Sequence, residues 1–134
     1  RGRELFSGAN RLLLGADGET PDSFSHEQHL LIREGERRVL IAGCCHCGIV
    51  NILARLAELE PEPPDAVIGG FHLAVPGTGE LDEALVDGVA ARLLALPGTR
   101  YYTGHCTGLA SYARLKEKMG QRVAYLHAGE TLEL

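Results

Sequence analysis

The chain has 134 residues, of which 45% are hydrophobic and 23% are charged. This composition is typical of one globular domain with its own core and excludes a disordered segment. The formal net charge of −5 argues against nonspecific binding to nucleic acid or to anionic lipid. No apolar run approaches the roughly 18 residues of a membrane-spanning helix. We therefore expect neither nucleic acid nor a membrane as a partner.

The cysteines indicate the compartment. They stand at positions 44, 45, 47 and 106, so three are clustered, whereas secreted disulfide scaffolds spread their cysteines along the chain. The first residues also lack the hydrophobic segment of a signal peptide. We expect a reducing, cytoplasmic compartment in which the thiols stay free for metal or redox chemistry. Because the chain begins with Arg1 rather than methionine, we expect it to be a piece of a longer protein.

The first third of the chain predicts a hairpin and a helix. A short strand is predicted at residues 11–14, before a turn-rich stretch. Two apolar runs, 29–33 and 38–42, flank a tight turn at 34–36, which is the pattern of a β-hairpin. Residues 49–59 then carry apolar side chains at helical spacing, and a proline-rich stretch ends that helix.

The rest of the chain alternates between strands and helices. The predicted order is strand 66–68, helix 81–96, strand 100–103, helix 109–119 and strand 123–126, with a further short strand expected at 131–134. Glycines after several of these segments are typical helix ends. The alternation favours the α/β class and a mixed sheet with its helices on one face. We expect residues 1–134 to form a single domain.

Three histidines follow three of these strands. His46, His72 and His105 each come shortly after an apolar strand and a glycine, and each precedes a helix. They are roughly 30 residues apart, the length of one strand-helix-strand unit. Equivalent strand ends lie at one edge of a sheet, where α/β proteins place their sites. Since neutral imidazole is the commonest transition-metal ligand, we predict metal or catalytic roles, most firmly for His46 and His105.

The other histidines and the neighbouring threonine have simpler interpretations. His26, His29 and His127 lack the strand-glycine-histidine-helix context, so we expect surface or packing roles for them. Thr107 stands just before the helix at 109–119 and is predicted to cap it.

The cysteines leave alternatives open. Cys44 and Cys47 have the spacing of a redox pair or of half a zinc site, but no second pair of ligands follows. For Cys45 and Cys106 we favour buried packing. Cys44 follows the strand end directly, so a ligand role stays open for it.

Three blocks of sequence carry a resemblance to a known family. Residues 43–53 read GCCHCGIVNIL, residues 67–73 read VIGGFHL, and residues 102–108 read YTGHCTG. Together they resemble the metallo-β-lactamase superfamily, and within it the branch of dihydropterin-type aminobenzene phosphate synthases. That branch carries G-C-S-H-x-G-I-V-N-I, I-G-G-F-H-L and T-G-H-C-T-G in the same order. Cys45 and Cys47 depart from its first block, which has serine at the position of Cys45.

The resemblance implies an αββα sandwich with a metal site at one edge of its two sheets. This chain would be the carboxyl-terminal half of that domain. His46 and His105 match metal-ligand positions, and His72 matches either a ligand or a substrate contact. The H-x-H-x-D-H signature of the superfamily does not occur in the sequence. The chain alone is therefore expected to be catalytically incomplete.

The resemblance implies a metal-dependent hydrolase that activates water on an ester, phosphoester or pterin-type small molecule. Zinc is the expected ion, with iron or manganese as alternatives. Because the missing half would leave a sheet face bare, we expect self-association or pairing with that half. Two other functions remain open: a non-catalytic metal-binding or oligomerising module, and a thiol redox protein using Cys44 and Cys47.

Overall fold

The computed structural model describes residues 4–8, 10, 13–75, 77–78 and 80–134. Its elements in chain order are β1 (Leu30–Glu34), β2 (Arg37–Ile41), α1 (Ile49–Leu59), β3 (Ala66–Ile68), α2 (Glu83–Leu94), β4 (Arg100–Thr103), α3 (Leu109–Met119) and β5 (Val123–Tyr125). Single 3-10 turns precede and follow α3, at His105–Thr107 and Gly120–Arg122. None of the helices in this described part combines the length and hydrophobicity needed to span a membrane.

The five strands form one mixed sheet in the order β1-β2-β3-β4-β5. β1 and β2 are the predicted antiparallel hairpin, and the other neighbours pair in parallel. A helix joins each parallel pair, because a parallel return needs a long crossover connection. The carboxyl ends of β2, β3 and β4 therefore lie side by side, as the α/β prediction requires.

The core lies between the sheet and the three helices. Pairing across the strands aligns one row of buried side chains that faces the helices: Leu40, Val67, Tyr101 and Val123. Buried residues of α1, α2 and α3 join this row in a single hydrophobic cluster. The predicted arrangement, with the helices on one face of a mixed sheet, is confirmed.

The opposite face of the sheet is apolar but less well covered. Leu30 and Ile32 on the edge strand are 58% and 46% exposed, and Ile41 and Ile68, in register with Leu30, are half-buried. The carboxyl-terminal Leu134 lines a cavity of about 380 Å³ at this sheet together with Val39, Ala66 and Tyr102. The expected partner for this face stays a prediction.

Several element boundaries differ from the sequence-based ones. The helix predicted at 81–96 spans Glu83–Leu94. It begins at Glu83 because the Asp82 side chain accepts a hydrogen bond from the Leu85 N–H at 3.0 Å and caps the helix. Residues 131–134, all of which are described, form no strand. Of the strand predicted at 11–14, residues 11 and 12 lie outside the described residues, and Leu14 makes an isolated bridge with Pro21.

Candidate metal centre

Three loops meet at the carboxyl edge of the sheet. We name them the β2 loop (residues 42–48), the β3 loop (69–74) and the β4 loop (104–108). Backbone hydrogen bonds tie them together: the Gly70 N–H donates to the Gly43 carbonyl at 2.7 Å, and the Ala74 N–H donates to the Cys106 carbonyl at 3.2 Å. The parallel strand order thus brings the three predicted histidine positions to one place.

Each of these loops holds one non-glycine residue in a left-handed backbone conformation. The residues are Cys45 (φ 54°), His72 (φ 49°) and His105 (φ 51°). Such conformations cost of order 1–3 kcal/mol each and persist where surrounding contacts enforce them, often at functional sites. Two of the three are predicted site residues, and the third directly precedes His46.

His46 and His72 form a pair of rings with centroids 4.1 Å apart. The ring of His46 also stacks on that of Phe24, with the centroids 5.4 Å apart. The side chain of Asn10 also holds His46 in place, since its Nδ2 donates to the His46 carbonyl at 2.7 Å and its Oδ1 lies 3.4 Å from Nδ1 of the ring. The two histidines that end β2 and β3 are therefore in direct contact, as the strand-end pattern predicts.

The imidazole of His72 has an unused nitrogen. Its Nδ1 atom is buried and has no hydrogen-bond partner among the described residues. Burial, and then the neighbouring His46, lower the pKa of His72, and His105 acts in the same direction. A lowered pKa keeps the ring neutral, which is the form that binds a metal. A buried ring nitrogen without a hydrogen-bond partner, in a neutral histidine, suits the binding of a metal ion.

His105 has different neighbours from the other two. Its side chain is exposed, and its Nδ1 lies 3.6 Å from Sγ of Cys44. The potential ligand atoms of Cys44, His105 and Cys106 all lie within 4.8 Å of one another. The centre thus contains a histidine pair, His46 with His72, beside a cluster of one histidine and two thiols. The metal roles of His46, His72 and His105 stay predictions.

The four cysteines, all free thiols, divide between these surroundings. Cys45 is buried and donates to the Ala42 carbonyl at 3.5 Å, and burial raises the pKa of its thiol far above the ordinary value. This is the packing role that we expected. The sulfur of Cys47 lies near the Phe24 carbonyl, at 3.8 Å. The sulfur of Cys44 instead lies beside that of Cys106, for which packing alone was expected.

Glu27 belongs to the part of the sequence that resembles the synthase branch, but the sequence analysis assigns it no role in the site. Its carboxylate accepts hydrogen bonds from the backbone N–H of His46 at 2.6 Å and of Cys47 at 3.0 Å. The side chain is only 10% exposed, and Nε2 of His29 lies 3.8 Å from it. A lone glutamate before a hairpin carries no signal for such a role, because the contact bridges 19 residues and depends on how the segment before β1 crosses the β2 loop.

The predicted capping role of Thr107 is wrong. Gly108 is the N-cap of α3, without a side-chain cap. The buried Thr107 hydroxyl instead accepts the Phe71 N–H at 2.8 Å and lies 2.5 Å from the Thr103 hydroxyl. The reason is the single 3-10 turn before α3, which places Thr107 inward. Thr107 therefore connects the β3 and β4 loops, which carry His72 and His105.

Gly70 leaves room for one of the sulfurs. A Cβ atom at this position would lie 2.6 Å from Sγ of Cys106, closer than two such atoms approach. The backbone of Gly70 is not left-handed, so the role of this glycine is to leave space for the sulfur. The β3 loop thus accommodates the Cys106 thiol.

We expect Gly70→Ala to lower the free energy of unfolding by about 1–3 kcal/mol, since the added methyl overpacks the site against Cys106. Urea denaturation measures this change. Gly8→Ala is the matched control, because a Cβ there meets nothing within 4 Å, and its effect should stay within about 0.5 kcal/mol. Equal stabilities of the two variants would contradict the close packing of Cys106 against Gly70.

Comparisons with known proteins agree with the fold. No protein-family model matches the sequence. The structure resembles the crystal structure of Tm1679, a protein described as a metal-dependent hydrolase of the beta-lactamase superfamily, with a TM-score of 0.68 and 31% sequence identity. The match covers 80% of this chain and 40% of the Tm1679 chain. Over the matched part, the chain shares the fold of this superfamily. The α/β architecture and the resemblance to the metallo-β-lactamase superfamily are thereby confirmed.

A curated relative belongs to the branch that the sequence blocks resemble. It is the 7,8-dihydropterin-6-methyl-4-(β-D-ribofuranosyl)-aminobenzene-5'-phosphate synthase of Methanocaldococcus jannaschii, 28% identical over 113 residues. The match covers 84% of this chain but 37% of that protein. The chain thus spans about two fifths of the length of each of these two proteins.

The donors present at this edge of the metallo-β-lactamase fold suit a divalent metal ion. They combine imidazole nitrogens and thiol sulfurs, which are borderline and soft ligands preferred by late first-row metals. The Nδ1 atom of the half-buried His72, which has no hydrogen-bond partner among the described residues, is a further nitrogen donor. The relative described as metal-dependent and the donor chemistry both support a divalent metal cofactor.

Proposed function

We propose that this chain is the carboxyl-terminal, metal-binding part of a metallo-β-lactamase-fold hydrolase that acts on an ester, phosphoester or pterin-type small molecule. The observation that carries the proposal is the position of His46, His72 and His105 on three loops that meet at the carboxyl edge of the sheet. The contact of the first two rings and the unpartnered nitrogen of His72 support it. The names of the two relatives favour a pterin-related or hydrolytic reaction.

In the proposed site, His46 and His105 hold the metal, and His72 either binds it through Nδ1 or orients the substrate. A divalent ion supplies Lewis-acid chemistry, since it lowers the pKa of water and polarises a carbonyl or phosphoryl oxygen. Zinc fits the donors best, with iron or manganese as alternatives. Asn10 and Glu27 orient His46 through its ring and backbone, as partners of metal ligands commonly do.

We further propose that the less covered sheet face, which includes Leu30 and Ile32, pairs with an amino-terminal half that bears the H-x-H-x-D-H signature, or with a second copy of the chain. The exposed apolar side chains of this face support pairing. The free clustered thiols favour a cytoplasmic location. Sedimentation of the purified chain tests the pairing, and a monomer at all concentrations would count against self-association.

Elemental mass spectrometry on the purified 134-residue protein tests the metal site. We expect about one divalent ion per chain in the wild type, as in a mononuclear site, and its loss in a His46→Ala/His105→Ala variant. A His26→Ala/His127→Ala variant is the matched control, because both of these histidines are exposed and lie outside the three loops. Metal retained in the first variant, or absent from the wild type, would contradict the proposal.

A further inference from the structure

We propose that Cys44, Cys106 and His105 form a second, thiolate-containing site that binds a thiophilic ion such as Zn²⁺ or Cd²⁺. It shares His105 with the proposed hydrolytic site, but none of its evidence involves His46 or His72. Two loops supply it: Cys44 from the β2 loop, and the other two residues from the β4 loop. Their ligand atoms all lie within 4.8 Å of one another.

The separations match those of a tetrahedral site. Zinc binds thiolate at about 2.3 Å and imidazole at about 2.1 Å, which places sulfur and nitrogen about 3.6 Å apart at a tetrahedral angle. Sγ of Cys44 lies 3.6 Å from Nδ1 of His105. Two thiolates on the same ion would lie about 3.8 Å apart. Cys44 and Cys106 therefore need at most about 1 Å of adjustment to share an ion.

Neighbouring backbone holds the two sulfurs close without an ion. The Cys106 thiol donates to the Cys44 carbonyl at 3.5 Å, and the absence of a side chain at Gly70 leaves the space that this sulfur occupies. The carbonyl of Cys106 accepts the Ala74 N–H at 3.2 Å, which fixes the β4 loop against the β3 loop. The donors are thus placed by contacts that do not themselves require metal.

The site is accessible, and its donors are selective. His105 is exposed and both thiols are half-buried, so an ion reaches them from solvent and retains an open fourth position. Two sulfurs and one nitrogen favour zinc, cadmium or copper(I) and disfavour magnesium and calcium. Because His105 is also assigned to the proposed hydrolytic ion, a thiophilic ion bound here competes for that histidine.

Cobalt(II) titration of the purified chain tests the site, since a thiolate bound to cobalt produces a near-ultraviolet charge-transfer band. We expect the band in the wild type and its loss in both Cys44→Ser and Cys106→Ser. Cys47→Ser is the matched control and should keep the band, because the sulfur of Cys47 lies by the Phe24 carbonyl. Added Cd²⁺ should abolish the band, and added Mg²⁺ should not.

A His46→Ala variant separates this site from the hydrolytic one. It should keep the cobalt band even if it loses the ion assigned to the histidines, so the two proposals fail independently. A band that survives Cys106→Ser but disappears in Cys47→Ser would overturn the inference in favour of the Cys44 and Cys47 pair. The absence of a band in the wild type would also overturn it. Circular dichroism of each variant verifies that the fold is intact.

Discussion

Replacing Glu27 with alanine is expected to lower the free energy of unfolding by about 3 kcal/mol, because two half-buried N–H groups lose a charged acceptor. These are the backbone amides of His46 and Cys47, at 2.6 and 3.0 Å from the carboxylate. Urea denaturation measures the change. We also expect weaker metal retention, since the carboxylate fixes the backbone of His46.

Glu27→Gln provides the control. The amide keeps one carbonyl oxygen, so it satisfies one of the two amides but without a negative charge. Its stability should lie between those of the wild type and the alanine variant. If the free energy of unfolding of Glu27→Ala lies within about 0.5 kcal/mol of the wild-type value, as for an ordinary surface substitution, the carboxylate does not stabilise the β2 loop.

Replacing Thr107 with valine is the second substitution with a large expected effect, again about 3 kcal/mol of lost stability. Valine has nearly the same shape, but it has no hydroxyl for the buried Phe71 N–H or for the Thr103 hydroxyl. Leaving a buried amide unpaired lowers the stability by more than the net contribution of its hydrogen bond, because the amide has no water to replace the lost partner. Urea denaturation again gives the magnitude.

Two further variants test whether the hydroxyl or the methyl group of Thr107 stabilises the protein. Thr107→Ser keeps the hydroxyl and removes one methyl, so it should lose about 1 kcal/mol. Thr103→Val leaves the bond from the Phe71 N–H to Thr107 intact and should be milder than Thr107→Val. If Thr107→Ser is as destabilised as Thr107→Val, packing of the methyl rather than the hydroxyl explains the role of this residue.

These two residues share a function in the proposed site. Glu27 holds the β2 loop, which carries His46, and Thr107 connects the β3 and β4 loops, which carry His72 and His105. Metal and catalytic sites require ligands held closely to their productive geometry by supporting hydrogen bonds. The left-handed backbone at Cys45, His72 and His105 is consistent with loops held in this way.

Local sequence determined most of the secondary structure. The bounds of α1, α3, β3 and β4 agree with the predicted ones, because apolar periodicity and flanking glycine or proline are properties of neighbouring residues. The placement of His46, His72 and His105 at one sheet edge also followed from the sequence. Parallel strands joined by helices put their carboxyl ends together whatever the details of packing.

Only the tertiary structure decided which side chains meet at that edge. Cys44 lies beside His105 and Cys106, across about 60 residues of chain. Glu27 binds the β2 loop, and Thr107 turns inward instead of capping α3. Such contacts depend on how loops cross and on where space is left, as at Gly70. The apolar periodicity that predicts helices and strands contains no information about either. The sequence alone therefore determined the fold and the place of the candidate site, and tertiary packing decided which of its donors come together.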